Sequence, residues 1–329
     1  MYLVQDMMDH TITNPHVTMV HVPSARGRSE LCAATLLPLC ADGRSFVSAR
    51  AMPNVVIDLR PNAAFANGHL AGSTSLPVSS LRERMFELPP PGEWPLTLVG
   101  SAADLATARE LLYSKGWSAT ETLIAEGDGW TQAHEAGLQS ASCLRPNAFL
   151  AAVLEELELP ESGGAAIDVG CGSGRDAVYM AGALGKEWQV IGCDNHVGAL
   201  ERARALAASE GSHASFASFD VRKHPLDELT DRPIRFVHGC RFLDRGLLER
   251  LPSLVAPGGL VIWSTFVEPA EGVPRAPPFR PSRRLQRGEL GRTLGERAGF
   301  EVLCEQEGWL LTRGVWETAQ FFAARRRLK

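Results

Sequence analysis

The sequence predicts an α/β protein of two modules, the second a doubly wound parallel sheet. Three observations carry that prediction. Apolar runs of strand length alternate with stretches of helical periodicity in both halves of the chain. The run Ala165, Ala166, Ile167, Asp168, Val169 enters a turn holding Gly170, Gly172 and Gly174, and a helical pattern starts near Arg175. Two later runs end in acids, Asp194 and Asp220, and open parallel sheets bind ligands at the carboxyl ends of their strands.

A length of 329 residues suits two domains better than one, and a hydrophobic share of 45% is ample for two cores. The net charge of -5 gives no electrostatic reason to expect nucleic acid or an anionic membrane as partner. No apolar run approaches membrane-spanning length. The seven cysteines, at 32, 40, 143, 171, 193, 240 and 304, are odd in number and lack C-x-x-C spacing. That argues against a disulfide framework or a metal site and fits a reducing, cytoplasmic setting. Cys171, Cys193 and Cys240 fall at strand ends and read as small buried side chains.

Residues 1–45 show no clean periodicity and no secretory apolar core, and are expected to be a disordered or leader segment. Their arginines leave organelle targeting open, though Asp6, Asp9, Glu30 and Asp42 count against it. Over residues 46–137, Val55, Val56, Ile57 and Asp58 read as a buried strand, and Leu96, Thr97, Leu98 and Val99 as another. A helix is expected over 102–115, stopped by Gly116. Asp58-Leu59-Arg60 and Gly68-His69-Leu70-Ala71-Gly72-Ser73 give this segment its likeness: it resembles a rhodanese-like domain. The resemblance implies a sulfur-carrying cysteine just after Val99, where Gly100, Ser101, Ala102 and Ala103 stand instead. A serine cannot carry a persulfide, which needs a thiolate nucleophile. The module is therefore expected to be inactive and to serve packing, regulation or homodimer formation, with His69 a packing residue.

Residues 138–164 read as a linker and a leading helix with the stripe Phe149, Leu150, Val153, Leu154 and Leu157. Residues 165–329 form the second module. Glycine lets a backbone turn sharply and lets a ligand approach it closely. The helix after the loop buries Ala177, Val178, Met180, Ala181 and Leu184, and Gly185 stops it. The loop alone also satisfies G-x-G-x-x-A through Gly172, Gly174 and Ala177, so it leaves a nicotinamide cofactor open. A strand ending at Asp194 would put a carboxylate where ribose hydroxyls bind. Asn195 is placed to cap the next helix, whose stripe is Leu200, Ala203 and Leu206.

Together these motifs make the second module similar to class I S-adenosylmethionine-dependent methyltransferases, with a Rossmann-like fold. Asp168-Val169-Gly170-Cys171-Gly172-Ser173-Gly174 matches that family's first motif, and Pro257-Gly258-Gly259 its turn into the fifth strand. The resemblance implies S-adenosylmethionine as cofactor, held by Asp168, Gly170, Cys171, Gly172, Gly174, Arg175, Asp194, Asn195, Asp220, Val221 and Cys240. Arg241-Phe242-Leu243-Asp244-Arg245, Trp263-Ser264-Thr265-Phe266 and Arg284-Leu285-Gln286-Arg287-Gly288-Glu289-Leu290 also resemble the tellurite-resistance-type small-molecule subfamily. That implies a small anionic or soft acceptor, a chalcogen oxyanion or a thiol. No catalytic acid or base stands out, as expected when the methyl group arrives activated. An arginine-rich stretch from Arg275 to Arg292 nominates Arg283 and Arg284, with Arg241, for an anionic substrate. Arg325, Arg326 and Arg327 read as a solvated tail. Rival readings are methylation of RNA or protein with the first module as adaptor, and a cofactor-binding protein without catalysis.

Overall fold

The computed structural model describes residues 19–23, 29–33, 53–119, 121–125, 135–159, 163–271, 281–312 and 315–328. Within the segment expected to be a disordered leader, β1 (Met19–Pro23) and β2 (Ser29–Ala33) pair as an antiparallel ribbon. Val20 and Val22 are β-branched and favour such extended backbone.

The first module contains β3 (Val55–Asp58), α1 (Asn62–Asn67), β4 (Thr74–Ser75), α2 (Val78–Arg84), β5 (Leu96–Gly100), α3 (Ala102–Tyr113) and β6 (Glu121–Ile124). Its four strands are all parallel, in the order β4-β3-β5-β6. Their apolar side chains close a core of their own around Ile57, Leu59, Leu81, Leu98 and Leu112. Asp58 is fully buried and is matched by Arg60, which donates to both carboxylate oxygens and to the Gly68 carbonyl. That pairing lets the strand end carry a charge into the core. His69 stacks on Phe65 at 3.8 Å and shares a 2.9 Å hydrogen bond with its carbonyl through Nδ1, the packing role expected of it. Residues 126–134, with Gly127, Gly129 and Trp130, lie outside the described residues.

The leading helix is α4 (Ala148–Glu156), capped by Asn147, with Phe149, Leu150 and Val153 buried. The second module follows: β7 (Gly164–Val169), α5 (Arg175–Leu184), β8 (Trp188–Asp194), α6 (Val197–Ser209), β9 (Ser215–Ser218), β10 (Ile234–Cys240), α7 (Arg245–Leu254), β11 (Val255–Phe266), α8 (Glu289–Leu294), β12 (Phe300–Thr312) and β13 (Val315–Arg326). Its seven strands run β12-β13-β11-β10-β7-β8-β9, with β13 running antiparallel to the other six. Every residue of β7 is buried, as a central strand covered on both faces requires. One face packs Trp263, Leu247, Leu251 and Phe300; the other packs Phe149, Met180, Phe236 and Phe321. The sheet is thus doubly wound, as expected. The chain leaves β7 toward β8 on one side and returns to β10 on the other, so the crevice of a topological switch point opens beside β7 and β10.

Two expectations are corrected here. The helix after Asp194 is capped by His196, whose Nδ1 accepts the Ala199 N–H at 3.1 Å, rather than by Asn195. The basic tail is structural: Arg325 and Arg326 belong to β13, and Arg327 pairs with Glu296 at 2.9 Å. The Arg326 guanidinium lies over the Phe300 ring and bonds the Ala298 carbonyl. Pairing in an antiparallel strand fixes Arg325 and Arg326, while Arg327 beyond it stays exposed.

Candidate functional site

The glycine loop ends β7 and opens α5, and its three glycines do different things. Gly170 has φ +67 and a side chain there would meet Phe242 at 2.5 Å. Gly174 has φ +79, caps α5 in the left-handed region and lies against Ala203 and Phe216. Both are required by the protein's own packing. Gly172, at φ +55, has nothing within 4 Å on its open side. Its bare backbone therefore faces the cleft.

The loop is held by Asp194. One carboxylate oxygen accepts the Gly172 N–H at 3.0 Å and the other accepts the His196 N–H at 2.8 Å. Asp220 is engaged by Arg222 at 2.8 Å and 2.9 Å, and that hydrogen bond holds its carboxyl down at about 2. Asp168 faces His238 across two neighbouring strands, with Oδ1 and Nδ1 2.8 Å apart and both side chains buried. Burial pushes Asp168 up and His238 opposes it. Burial pulls His238 down, but the hydrogen bond and charge of Asp168 outweigh it and leave it raised. Asp168 Oδ2 has no hydrogen-bond partner among the described residues.

Two adjoining pockets make up the cleft. The first is lined by Asp168, Gly170, Cys171, Gly172, Ser173, Arg175, Asp176, Cys240 and Arg241, and from outside the module by Pro90, Glu93 and Asn147. The second encloses about 370 Å³ between Gly170, Cys193, Asp194, Asn195, Asp220, Val221, Arg241 and Phe242, among others. Of the expected cofactor residues, Asp168, Gly170, Cys171, Gly172, Arg175 and Cys240 therefore line one pocket, and Asp194, Asn195, Asp220 and Val221 the other. Gly174 lines neither.

The thiols are not nucleophiles in waiting. Burial raises Cys193 and Cys240 to about 12 and Cys171 well above the usual thiol range.

Arg241 lines both pockets and is the described non-glycine residue with positive φ, 54°. Its N–H donates to the Ser264 carbonyl at 2.7 Å and its guanidinium to the Leu311 carbonyl at 3.1 Å. Those anchors hold the unfavourable backbone and aim the side chain across the crevice. Arg283 and Arg284 line neither pocket. Arg283 is exposed, whereas Arg284 is buried, ion-paired with Glu317 and lying over Phe266. Arg275 and Arg280 lie outside the described residues.

Sequence reasoning missed Glu93, Asn147, Asp176 and His238. His238 did leave a signal, a histidine inside an otherwise apolar strand.

Comparison with known proteins supplies the chemistry. Residues 166–259 match the family model described as a methyltransferase domain. This part of the chain is a methyltransferase domain. A methyltransferase domain needs a methyl donor, and the residues present fit S-adenosylmethionine in that role. Gly172 offers open backbone, the Arg175 Nε and Asp168 Oδ2 lack partners among the described residues, and Asp194 stands at the end of β8. The methyltransferase domain has curated relatives in fungi. The chain is 23% identical over 304 residues to an uncharacterized protein of Schizosaccharomyces pombe, UNK4.09, spanning 77% of this chain and 89% of that one. It is 26% identical over 163 residues to an uncharacterized methyltransferase of Emericella nidulans, AN0656, spanning 42% of this chain and 56% of that one. Among solved structures, a SAM-dependent methyltransferase from Aquifex aeolicus covers 53% of this chain and 88% of its own, at 20% identity and a TM-score of 0.39. No described helix is long and apolar enough to cross a membrane.

Proposed function

We propose that the chain is a small-molecule methyltransferase of the tellurite-resistance type, acting on a soft or anionic nucleophile such as a thiol or a chalcogen oxyanion. The observation that supports this is Arg241. Gly170 and Arg241 are shared by both pockets, so they flank the place where the nucleoside and amino-acid ends of the donor meet. A guanidinium at that junction attracts an anionic acceptor and orients it through directed hydrogen bonds. The bound donor supplies a methyl group already activated on a sulfonium. The chain supplies alignment and exclusion of water, with Asp194 and Asp220 holding the nucleoside end and the glycine loop the amino-acid end. Thiolates and chalcogen oxyanions arrive deprotonated and need no base.

In this reading the first module is a rhodanese-like domain without sulfur-transfer activity. Its four parallel strands and the buried Asp58–Arg60 pair support the likeness. Ser101 passes β5 straight into α3, its Oγ accepting the Asp104 N–H at 3.1 Å as a helix cap. That leaves no cradle loop and no thiol.

The test is transfer of labelled methyl from S-adenosylmethionine to a panel of selenite, tellurite, thiols and small carboxylates, with RNA and protein as parallel arms. Label in a soft or anionic small molecule, with an acceptor KM raised about tenfold or more in Arg241→Ala, is the expected result. Label confined to RNA or protein, or none anywhere, overturns it.

A further inference from the structure

We infer that Glu93, carried by the first module, is a binding residue of the donor site in the second, and that it receives the α-ammonium of S-adenosylmethionine. The inference rests on the donor assignment above and goes beyond it, because no feature of the methyltransferase domain itself supplies this residue.

The segment after α2 brings Glu93 to the wall of the first pocket, opposite the glycine loop. Its side chain is 9% exposed. One oxygen is committed: Oε2 accepts the Ala148 N–H at 2.9 Å and the Asn147 side-chain amide at 3.3 Å, at the start of α4. The other, Oε1, has a long 3.4 Å contact with Arg241, which itself bonds better to the Leu311 carbonyl at 3.1 Å. Oε1 therefore keeps acceptor capacity that faces the pocket.

Across the same pocket stands Arg175, whose Nε has no partner among the described residues. The neighbouring acid, Asp176, has Oδ1 engaged, accepting the Asn147 N–H at 2.7 Å. The pocket so presents a guanidinium with an unpartnered Nε and a carboxylate with a lone pair to spare. A zwitterion satisfies both; a neutral or singly charged group leaves a buried donor or acceptor site unfilled, which is costly. The amino-acid end of the donor is such a zwitterion. Asp168 Oδ2, also without a hydrogen-bond partner among the described residues, is the second acceptor an ammonium with three N–H donors can use.

The consequence is a donor site assembled from both modules, with Glu93 fastening the start of α4 and the amino-acid end together. Calorimetry on the full chain separates this from a purely structural role. The probes are S-adenosylhomocysteine and 5′-methylthioadenosine, which lacks the amino-acid end. Glu93→Gln keeps an acceptor for the Ala148 N–H but removes the charge. It is expected to weaken S-adenosylhomocysteine about tenfold or more and to leave 5′-methylthioadenosine within about twofold. Unchanged S-adenosylhomocysteine affinity, or equal losses for both ligands, overturns the inference. A second measurement needs no variant. The analogue of S-adenosylhomocysteine lacking its α-amino group is expected to bind the unsubstituted protein about tenfold or more weakly, and equal affinity overturns the inference. If the unsubstituted protein binds neither nucleoside, the donor assignment fails instead, which is a distinct result.

Discussion

At the scale of single residues, two glycines two positions apart in the loop make opposite predictions. Gly174 sits in the left-handed region against Ala203 and Phe216 at 2.7 Å, so Gly174→Ala strains backbone and core together. A loss of about 2–4 kcal/mol in urea unfolding is expected. Gly172 is equally left-handed but faces open space. Gly172→Ala should cost about 1 kcal/mol in the same titration while weakening S-adenosylhomocysteine binding more than tenfold by calorimetry, roughly the loss of one close backbone contact. Equal stability losses in the two variants would contradict the division of roles.

The Asp168–His238 pair makes a prediction in pH. Both groups are raised in the folded chain, from usual values of 3.8 and 6.5. The folded state thus holds protons that the unfolded state has released, and stability falls as pH rises from the carboxylate range through and beyond 6.5. Between about pH 6 and about pH 9 the melting temperature of the unsubstituted protein should drop more than that of Asp168→Asn. Parallel curves would remove the pair from the account.

At the scale of elements, what could be read from the sequence was local. The β7–loop–α5 unit declares itself because glycines, an apolar run and a helical stripe are all set by near neighbours. The acids at the ends of β8 and β9 follow from the same logic. Arg284 shows where it stops. Six arginines between 275 and 292 resemble an anion site in composition, yet Arg284 meets Glu317 from β13, 33 residues away. No local pattern announces that pairing. Arg284→Ala should therefore lower stability by about 3–5 kcal/mol, because it leaves Glu317 without its buried partner. Acceptor KM and donor affinity should stay near those of the unsubstituted protein in kinetics at a temperature where the variant is folded. A raised KM with unchanged stability would restore Arg284 to the substrate site.

At the scale of the whole molecule, the two modules share a seam beside the cleft. Phe86 and Leu144 pack on Val178, Leu206 and Ala207, and the Trp94 indole donates to the Pro146 carbonyl at 3.1 Å. Gly92 has φ +74 and lies so close to Leu311 that a Cβ would meet its Cδ2 at 2.6 Å. Gly92→Val should wedge this seam, weakening S-adenosylhomocysteine severalfold in calorimetry while leaving the first module's core intact; an unaltered affinity would mean that docking and donor binding are independent. None of this was legible in the sequence. Glu93 and Gly92 belong to no motif, and their partners Ala148, Arg241 and Leu311 lie 55 to 219 positions further along. Contacts of that range are set by how two finished modules fit.

The central claim is that S-adenosylmethionine lies along this cleft with its nucleoside end at Asp194. Titration calorimetry of S-adenosylhomocysteine into the full chain and into Asp194→Ala tests it most directly. Clear binding to the first is expected, with a loss of about a few kcal/mol in the second, where the charged acceptor for the ribose is gone. Absence of heat with the unsubstituted chain, or equal affinity in the variant, would contradict it.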